Sequence, residues 1–268
     1  MSAPEAVPTG APAPVRFLIT CPARTGSSML TSFLQSHPDI CMHGEVFGRG
    51  APLAFFGLDY SRGAPPLEDV LRRIRNRSPV RFLTKFVFYA GAYRAVGLKL
   101  KYEELLRPEY GELMHHLGDD TEIKIVHLRR ENLLERFLSQ HVAVKVTKVY
   151  NISDEADRPA DPGPVYLPID ECEDDFARTE RRQARFHDCF AGHDAIEVTY
   201  EQLVASREVT LRRVQEFLGL EPRPLETIHK RLRNRSLGDS IENWDELRLH
   251  FATTRFARFF EGPTDGDS

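Results

Sequence analysis

Arg24-Thr25-Gly26-Ser27-Ser28 gathers a permanent cation, a backbone position without a Cβ and three hydroxyls into five consecutive residues. An apolar run rich in strand formers, Val15 to Thr20, leads into this segment. Ser27 to Gln35 follows with Met29, Leu30, Phe33 and Leu34 on one helical face. Strand, tight loop and helix in that order make an anion site. The N–H groups of a helix's first turn have no partner within the helix and lie at the positive end of its dipole. Gly26 allows a close approach of the backbone, Ser27 and Ser28 add hydroxyl donors, and Arg24 adds charge. A second strand–turn–helix begins about a hundred residues on, at Lys124-Ile-Val-His-Leu-Arg-Arg. It places Arg129 and Arg130 at the carboxyl end of a strand, where open α/β sheets bind ligands, and Ser139 about two turns into the next helix.

A nucleoside-triphosphate loop of the form G-x-x-x-x-G-K-[ST] does not fit the first segment. With Gly26 aligned, Cys21 stands at the first glycine and Ser27 at the lysine. Kinase or ATPase chemistry is therefore the weaker reading, and a non-catalytic module for phosphorylated ligands is the other alternative.

The elements around these motifs alternate. Helical spacing covers Leu67 to Asn76, with Arg72, Arg73, Arg75 and Arg77 towards its end, and then Glu103 to His116, Asn132 to Val144, Asp174 to Phe190 and Glu201 to Leu218. Strands are expected at Val96–Leu100, Ile123–Leu128 and Ile196–Tyr200, and more helix between Ser240 and Phe260. Such alternation predicts an α/β domain with a mainly parallel, P-loop-like sheet flanked by helices. One domain is expected over residues 15–262. An Ala- and Pro-rich tail precedes it at 1–14 and a short tail follows at 263–268. The Pro-rich, acidic stretch 148–173 is expected to be a lid loop.

Bulk properties narrow the classes. The 268 residues are 41% hydrophobic and 28% charged with a net charge of −4, which disfavours a nucleic-acid binder. No apolar run is long enough to span a membrane, and the start lacks the order of a signal peptide. Cys21, Cys41, Cys172 and Cys189 lack metal-ligand spacing, so free thiols in the cytoplasm and no bound metal are expected.

The Arg24–Met29 segment resembles the 5′-phosphosulfate-binding loop of sulfotransferases that use 3′-phosphoadenosine 5′-phosphosulfate (PAPS), whose bacterial and carbohydrate members carry an Arg–Ser/Thr–Gly–Ser/Thr–Ser/Thr core. The resemblance implies that Arg24 contacts the bridging and sulfuryl oxygens and that Thr25, Gly26, Ser27, Ser28 and Met29 cradle the 5′-phosphate. Arg130 with Ser139 resembles the family's 3′-phosphate motif. The gap is one residue longer than in many members when counted from Arg130 and two when counted from Arg129, so either arginine fits, Arg130 better. Val198 to Leu203 and Leu211 to Leu220 resemble a late strand and helix of these domains. Lys230 to Leu237 resembles their C-terminal basic loop, which implies Arg233 and Arg235 as further phosphate contacts.

In such an enzyme the acceptor hydroxyl needs a base. Glu45, in His43-Gly44-Glu45-Val46-Phe47, sits at about the distance after the loop at which some bacterial members carry a catalytic glutamate; His43 is the rival, since many eukaryotic members use histidine. A carboxylate is ionised at pH 7 without any tuning. Val96 to Leu105 resembles a lysine-bearing strand of glycan sulfotransferases, which implies that Lys99 or Lys101 holds sulfuryl oxygens or a sugar hydroxyl. The implied acceptor is a hydroxyl of a carbohydrate or other alcohol, preferably uncharged, because residues 154–175 are acidic. The sequence leaves the oligomeric state open.

Overall fold

The computed structural model describes residues 13–49, 53–58, 65–150, 152, 154, 156, 158–229 and 235–261. In chain order its elements are β1 (Val15–Cys21), α1 (Ser27–Gln35), β2 (Ile40–His43), α2 (Pro66–Arg77), α3 (Pro79–Phe82), a π-helical turn at Leu83–Val87, β3 (Ala95–Lys101), α4 (Tyr102–Leu105), α5 (Gly111–Asp119), β4 (Lys124–Arg129), α6 (Leu133–His141), a second π-helical turn at Val142–Val146, α7 (Ile169–Cys189), β5 (Ala195–Thr199), α8 (Tyr200–Ala205), α9 (Arg207–Phe217) and α10 (Trp244–Phe251). The chain forms two compact units, Met1–Arg129 with Gln183–Thr227, and Arg130–Arg182 with Ile228–Ser268.

The first unit holds a five-stranded sheet in the order β2-β3-β1-β4-β5, with every pairing parallel. The expected α/β class and parallel sheet are therefore present. Side chains alternate across the sheet. Leu18 of β1, Val96, Leu98 and Leu100 of β3, and Ile125 of β4 enter one core. Phe17, Ile19 and Cys21 of β1, with Val126, Leu128 and Val198, enter the other, against Leu30, Phe33 and Leu34 of α1. Both faces are covered, which is why the strands read as near-continuous apolar runs. The chain leaves β1 towards β2 on one side of the sheet, while β4 and β5 lie on the other. The carboxyl end of β1 is thus a topological switch point, the usual ligand crevice of such sheets.

Gly97 has a specific role in this packing. It stands opposite Phe17 in register, and a Cβ built on it would lie 2.4 Å from the Phe17 ring. The ring occupies the space that a side chain would take. The same period-two rule places Gly97, Lys99 and Lys101 on one face of β3, so the two lysines continue the row that Gly97 begins.

The second unit packs Leu133, Leu134, Phe137 and Leu138 of α6 with Leu167, Phe176, Ile241, Phe251 and Phe259. Within it Arg136 pairs with Asp175, both buried. The acidic stretch expected as a loose lid is fixed at its end. Val165 bridges Ile241, and Leu167 exchanges hydrogen bonds with the Asn243 side chain at 3.0 Å in each direction. Buried Leu167 and Ile241 hold it there.

Three local expectations shift. The helix expected over 103–116 is broken into α4 and α5, with Pro108 opening a 3₁₀ turn between them. The helix expected over 201–218 breaks at Ser206 into α8 and α9. Ile40–His43, outside the expected strands, is the edge strand β2. Residues 1–12 and 262–268 of the expected tails lie outside the described residues, as does Arg233. No helix among the described residues is long and apolar enough to cross a membrane, and no group of His, Cys, Asp and Glu there has the arrangement of a metal site.

Candidate functional site

The loop between β1 and α1 uses two left-handed residues, Arg24 at φ 69° and Gly26 at φ 78°. A left-handed residue next to a helix start turns successive N–H groups inward and makes an anion-binding concavity. Gly26 is required twice over: its φ suits glycine, and a Cβ there would lie 2.8 Å from the ring of Tyr200, at the start of α8. The loop's hydroxyls divide their work. Thr25 Oγ1 donates to the Pro22 carbonyl at 3.0 Å, fully buried, and so braces the loop. Ser27 is buried against the Cys21 thiol, which burial pushes up to about 12. Ser28 and Met29 stay half-exposed at the helix start, and the Ser28 hydroxyl accepts from Lys99 Nζ at 3.2 Å.

Lys99 leads directly to Glu45. Its Nζ lies 2.9 Å from Glu45 Oε1, and Lys101 Nζ lies 2.7 Å from Glu45 Oε2. Three residues predicted separately, the base candidate and the two lysines, thus meet beside the anion loop. Burial alone would raise the Glu45 pKa, but the two ammonium groups overcome it and hold the carboxyl down at about 2. Burial likewise works to lower Lys101, and Glu45 reverses it, leaving that ammonium raised.

His43 is placed elsewhere. It is buried in the sheet's core side, and both ring nitrogens are taken. Nδ1 accepts from the Phe56 N–H at 2.9 Å, so Nε2 carries the proton and donates to the Val87 carbonyl at 3.0 Å. Burial lowers its pKa to about 4, although the Val87 bond works in the opposite sense. An imidazole engaged at both nitrogens has none left for an acceptor hydroxyl, so the reading of His43 as rival base is corrected: it is a core residue that anchors β2.

Two arginines not read as site residues hold the segment after Glu45. Arg75, on the last turn of α2, donates from Nη1 to the carbonyls of Val46 at 3.1 Å and Gly48 at 2.9 Å. Arg107 Nη2 donates to the carbonyl of Phe47, between them, and Arg107 Nε to that of Glu104 at 3.1 Å. Glu104 is the other missed group. Its Oε2 accepts the Lys101 N–H at 3.1 Å, and burial followed by repulsion from Glu45 pushes it up to about 7. The Arg72–Arg77 cluster signalled Arg75, but nothing in the sequence showed that its partners are backbone carbonyls.

The residues read as the 3′-phosphate site are engaged within their own units. Arg129, at the end of β4, pairs with Glu197 of β5 at 3.2 Å. Arg130 pairs with Glu135 in α6, whose N-terminus is capped by Asn132 Oδ1 accepting from the Glu135 N–H at 3.0 Å. Ser139 is half-buried on α6. Arg235 pairs with Asp161 at 2.9 Å.

No family model matches the chain. Nodulation protein H of Rhizobium meliloti strain 1021 is 27% identical over 257 residues, covering 94% of this chain and 97% of the relative. Nodulation protein H of Rhizobium tropici is 28% identical over 258 residues, covering 93% and 94%. Among solved structures the chain is similar to a sulfotransferase from Alicyclobacillus acidocaldarius, with a TM-score of 0.48 and 18% identity over 93% of this chain and 96% of that one.

Proposed function

We infer that the chain belongs to the sulfotransferases that use PAPS, and that it transfers the sulfuryl group of that donor to a hydroxyl. The motif order along the sequence and the full-length relationship to the nodulation protein H sequences support the family. The single observation that carries the chemistry is the unbroken chain Ser28–Lys99–Glu45. It joins an anion loop to an ionised carboxylate through an ammonium, and these are the three groups that the reaction needs side by side.

Sulfuryl transfer is an in-line displacement served by positioning and charge stabilisation, as phosphoryl transfer is. The loop from Arg24 to Met29 takes the 5′-phosphate, and Arg24 and Lys99 face the sulfuryl oxygens. The acceptor oxygen forms its bond to sulfur while the bond from sulfur to the 5′-phosphate oxygen breaks. The electron pair leaves with the bisphosphate. The acceptor proton goes to Glu45. Arg130 and Ser139 take the 3′-phosphate in this reading, with Arg129, Arg233 and Arg235 as further contacts. The acceptor is a hydroxyl of a carbohydrate or another alcohol, and the four free thiols suit a cytoplasmic setting.

A thermal-shift comparison tests the donor assignment. 3′-Phosphoadenosine 5′-phosphate (PAP), at about a hundred times its Kd, should add about 2.7 kcal/mol to stability by mass action and raise Tm accordingly. ATP at equal concentration should raise it less. Equal or greater stabilisation by ATP refutes the assignment and favours a kinase-like enzyme.

A further inference from the structure

Lys99 touches both halves of the chemistry. Its Nζ is 3.2 Å from Ser28 Oγ, on the donor loop, and 2.9 Å from Glu45 Oε1, the base. The residue is 4% exposed, so water does little to share its charge. Lys101 sits differently: it holds the other Glu45 oxygen at 2.7 Å and is more exposed. Among the described residues, Glu104, which accepts the Lys101 N–H, and the Cys21 thiol beneath the loop also act on the cluster.

We propose that Lys99 is a latch between donor and base: in the empty site its ammonium is held by Glu45, and an arriving sulfuryl group draws it away, so that Glu45 becomes an effective base only once the donor is seated. The proposal rests on the sulfotransferase reading above. Its physical content is competition. Glu45 and the sulfuryl group are both anions, and both lie beside one buried ammonium. An ammonium has three N–H donors, and two are directed at Ser28 and Glu45. Full engagement with the donor weakens the bond to Glu45. Lys101 stays on Oε2 and keeps the carboxylate ionised and oriented while Lys99 moves.

A carboxylate held by two ammonium groups is a weak base, and the loss of one partner strengthens it. Binding order follows from the same geometry. An acceptor hydroxyl that enters first meets a carboxylate with both oxygens engaged, whereas one that enters after the donor meets a freed Oε1. The structure thus links the donor loop to proton removal through one side chain.

The test is equilibrium binding of two ligands, PAPS and PAP, without acceptor, to the full-length protein. PAPS carries the sulfuryl group and PAP does not. Glu45→Gln keeps the side chain's size but removes the anion that competes for Lys99. It should tighten PAPS about tenfold, the lower end of what one charge-assisted hydrogen bond is worth, and leave PAP affinity unchanged. Lys99→Met should shrink any preference for PAPS over PAP to what Arg24 alone supplies, and in that background Glu45→Gln should have no effect. Three results overturn the latch: no tightening in Glu45→Gln, equal tightening of both ligands, or tightening that persists without Lys99. If the wild-type protein binds neither ligand, the sulfotransferase reading itself fails, which is a separate outcome. If Lys99→Met does not fold, the contrast between the two ligands in Glu45→Gln decides alone.

Discussion

Arg75→Met tests whether Glu45 is held in place by the backbone behind it. Arg75 is 6% exposed, and its Nη1 serves the carbonyls of Val46 and Gly48. Methionine keeps an apolar stem of similar reach and removes both donors. Each lost bond from a charged group is worth about 1.5–3 kcal/mol. The Gly48 bond is partly solvated, and burial of the guanidinium, which lowers its pKa, is a cost that the variant escapes. The net loss should be roughly 2–3 kcal/mol, read as a lower denaturant midpoint with an unchanged slope. The second effect is on catalysis. Glu45 lies immediately before the freed carbonyls, and a shift of about 1 Å at a reacting group costs on the order of 10²-fold in rate. With an acceptor in hand, kcat should fall by that order, whereas PAP affinity should not change, because the loop of β1 and α1 does not depend on Arg75. Arg75→Lys restores one donor and should recover part of both losses. An Arg75→Met protein that is less stable but turns over at the wild-type rate refutes the positioning role and leaves Arg75 a purely structural residue.

Gly97→Ala should lower Tm by about 3–10 °C, because its Cβ would meet the Phe17 ring at 2.4–2.5 Å and overpacking of this kind costs about 1–3 kcal/mol. Calorimetry showing an unchanged Tm would mean that β1 and β3 adjust freely. Glu104 predicts a pH effect of definite sign. Its folded pKa, about 7, lies above its ordinary 4.5, so between those values the folded protein keeps a proton that the unfolded chain has lost, and stability falls as pH rises from about 4.5 to 7. Glu104→Gln should remove that slope and gain roughly 1–3 kcal/mol at pH 8, with little gain at pH 5; parallel stability–pH curves for the two proteins would refute it.

Much of this arrangement was legible in the sequence, for identifiable reasons. The β1–loop–α1 segment was readable because three local signals agree: an apolar strand, a glycine at the turn and a helical stripe. The apolar run Val96–Leu100 marked β3, and its resemblance to a lysine-bearing strand singled out Lys99 and Lys101. What could not be read was their partner, since Glu45 lies more than fifty residues away and only strand order brings it near. Glu45 stood ahead of His43 in sequence only by its distance after the loop, and the two lie two residues apart. The choice turned on hydrogen bonds from Phe56 N–H and to the Val87 carbonyl, and backbone groups carry no residue code. Arg75 and Arg107 escaped for the same reason. β2 escaped because four residues ending in a histidine give too short a pattern to separate strand from link.

The position of β1 at the middle of the sheet also has a consequence in time. Its neighbours are β3 and β4, and among the described residues no strand made before residue 95 pairs with it. At about 5–20 residues per second on the ribosome, a completed β1 waits roughly 4–16 seconds before β3 is finished. During that interval Val-Arg-Phe-Leu-Ile-Thr-Cys is a seven-residue, β-prone segment with a single charge and no partner. Such a segment is prone to pair with other chains. The strand that later carries the anion loop is therefore a hazard of the nascent chain, and slowing synthesis between residues 21 and 95 should cost more soluble protein than slowing it anywhere after residue 129.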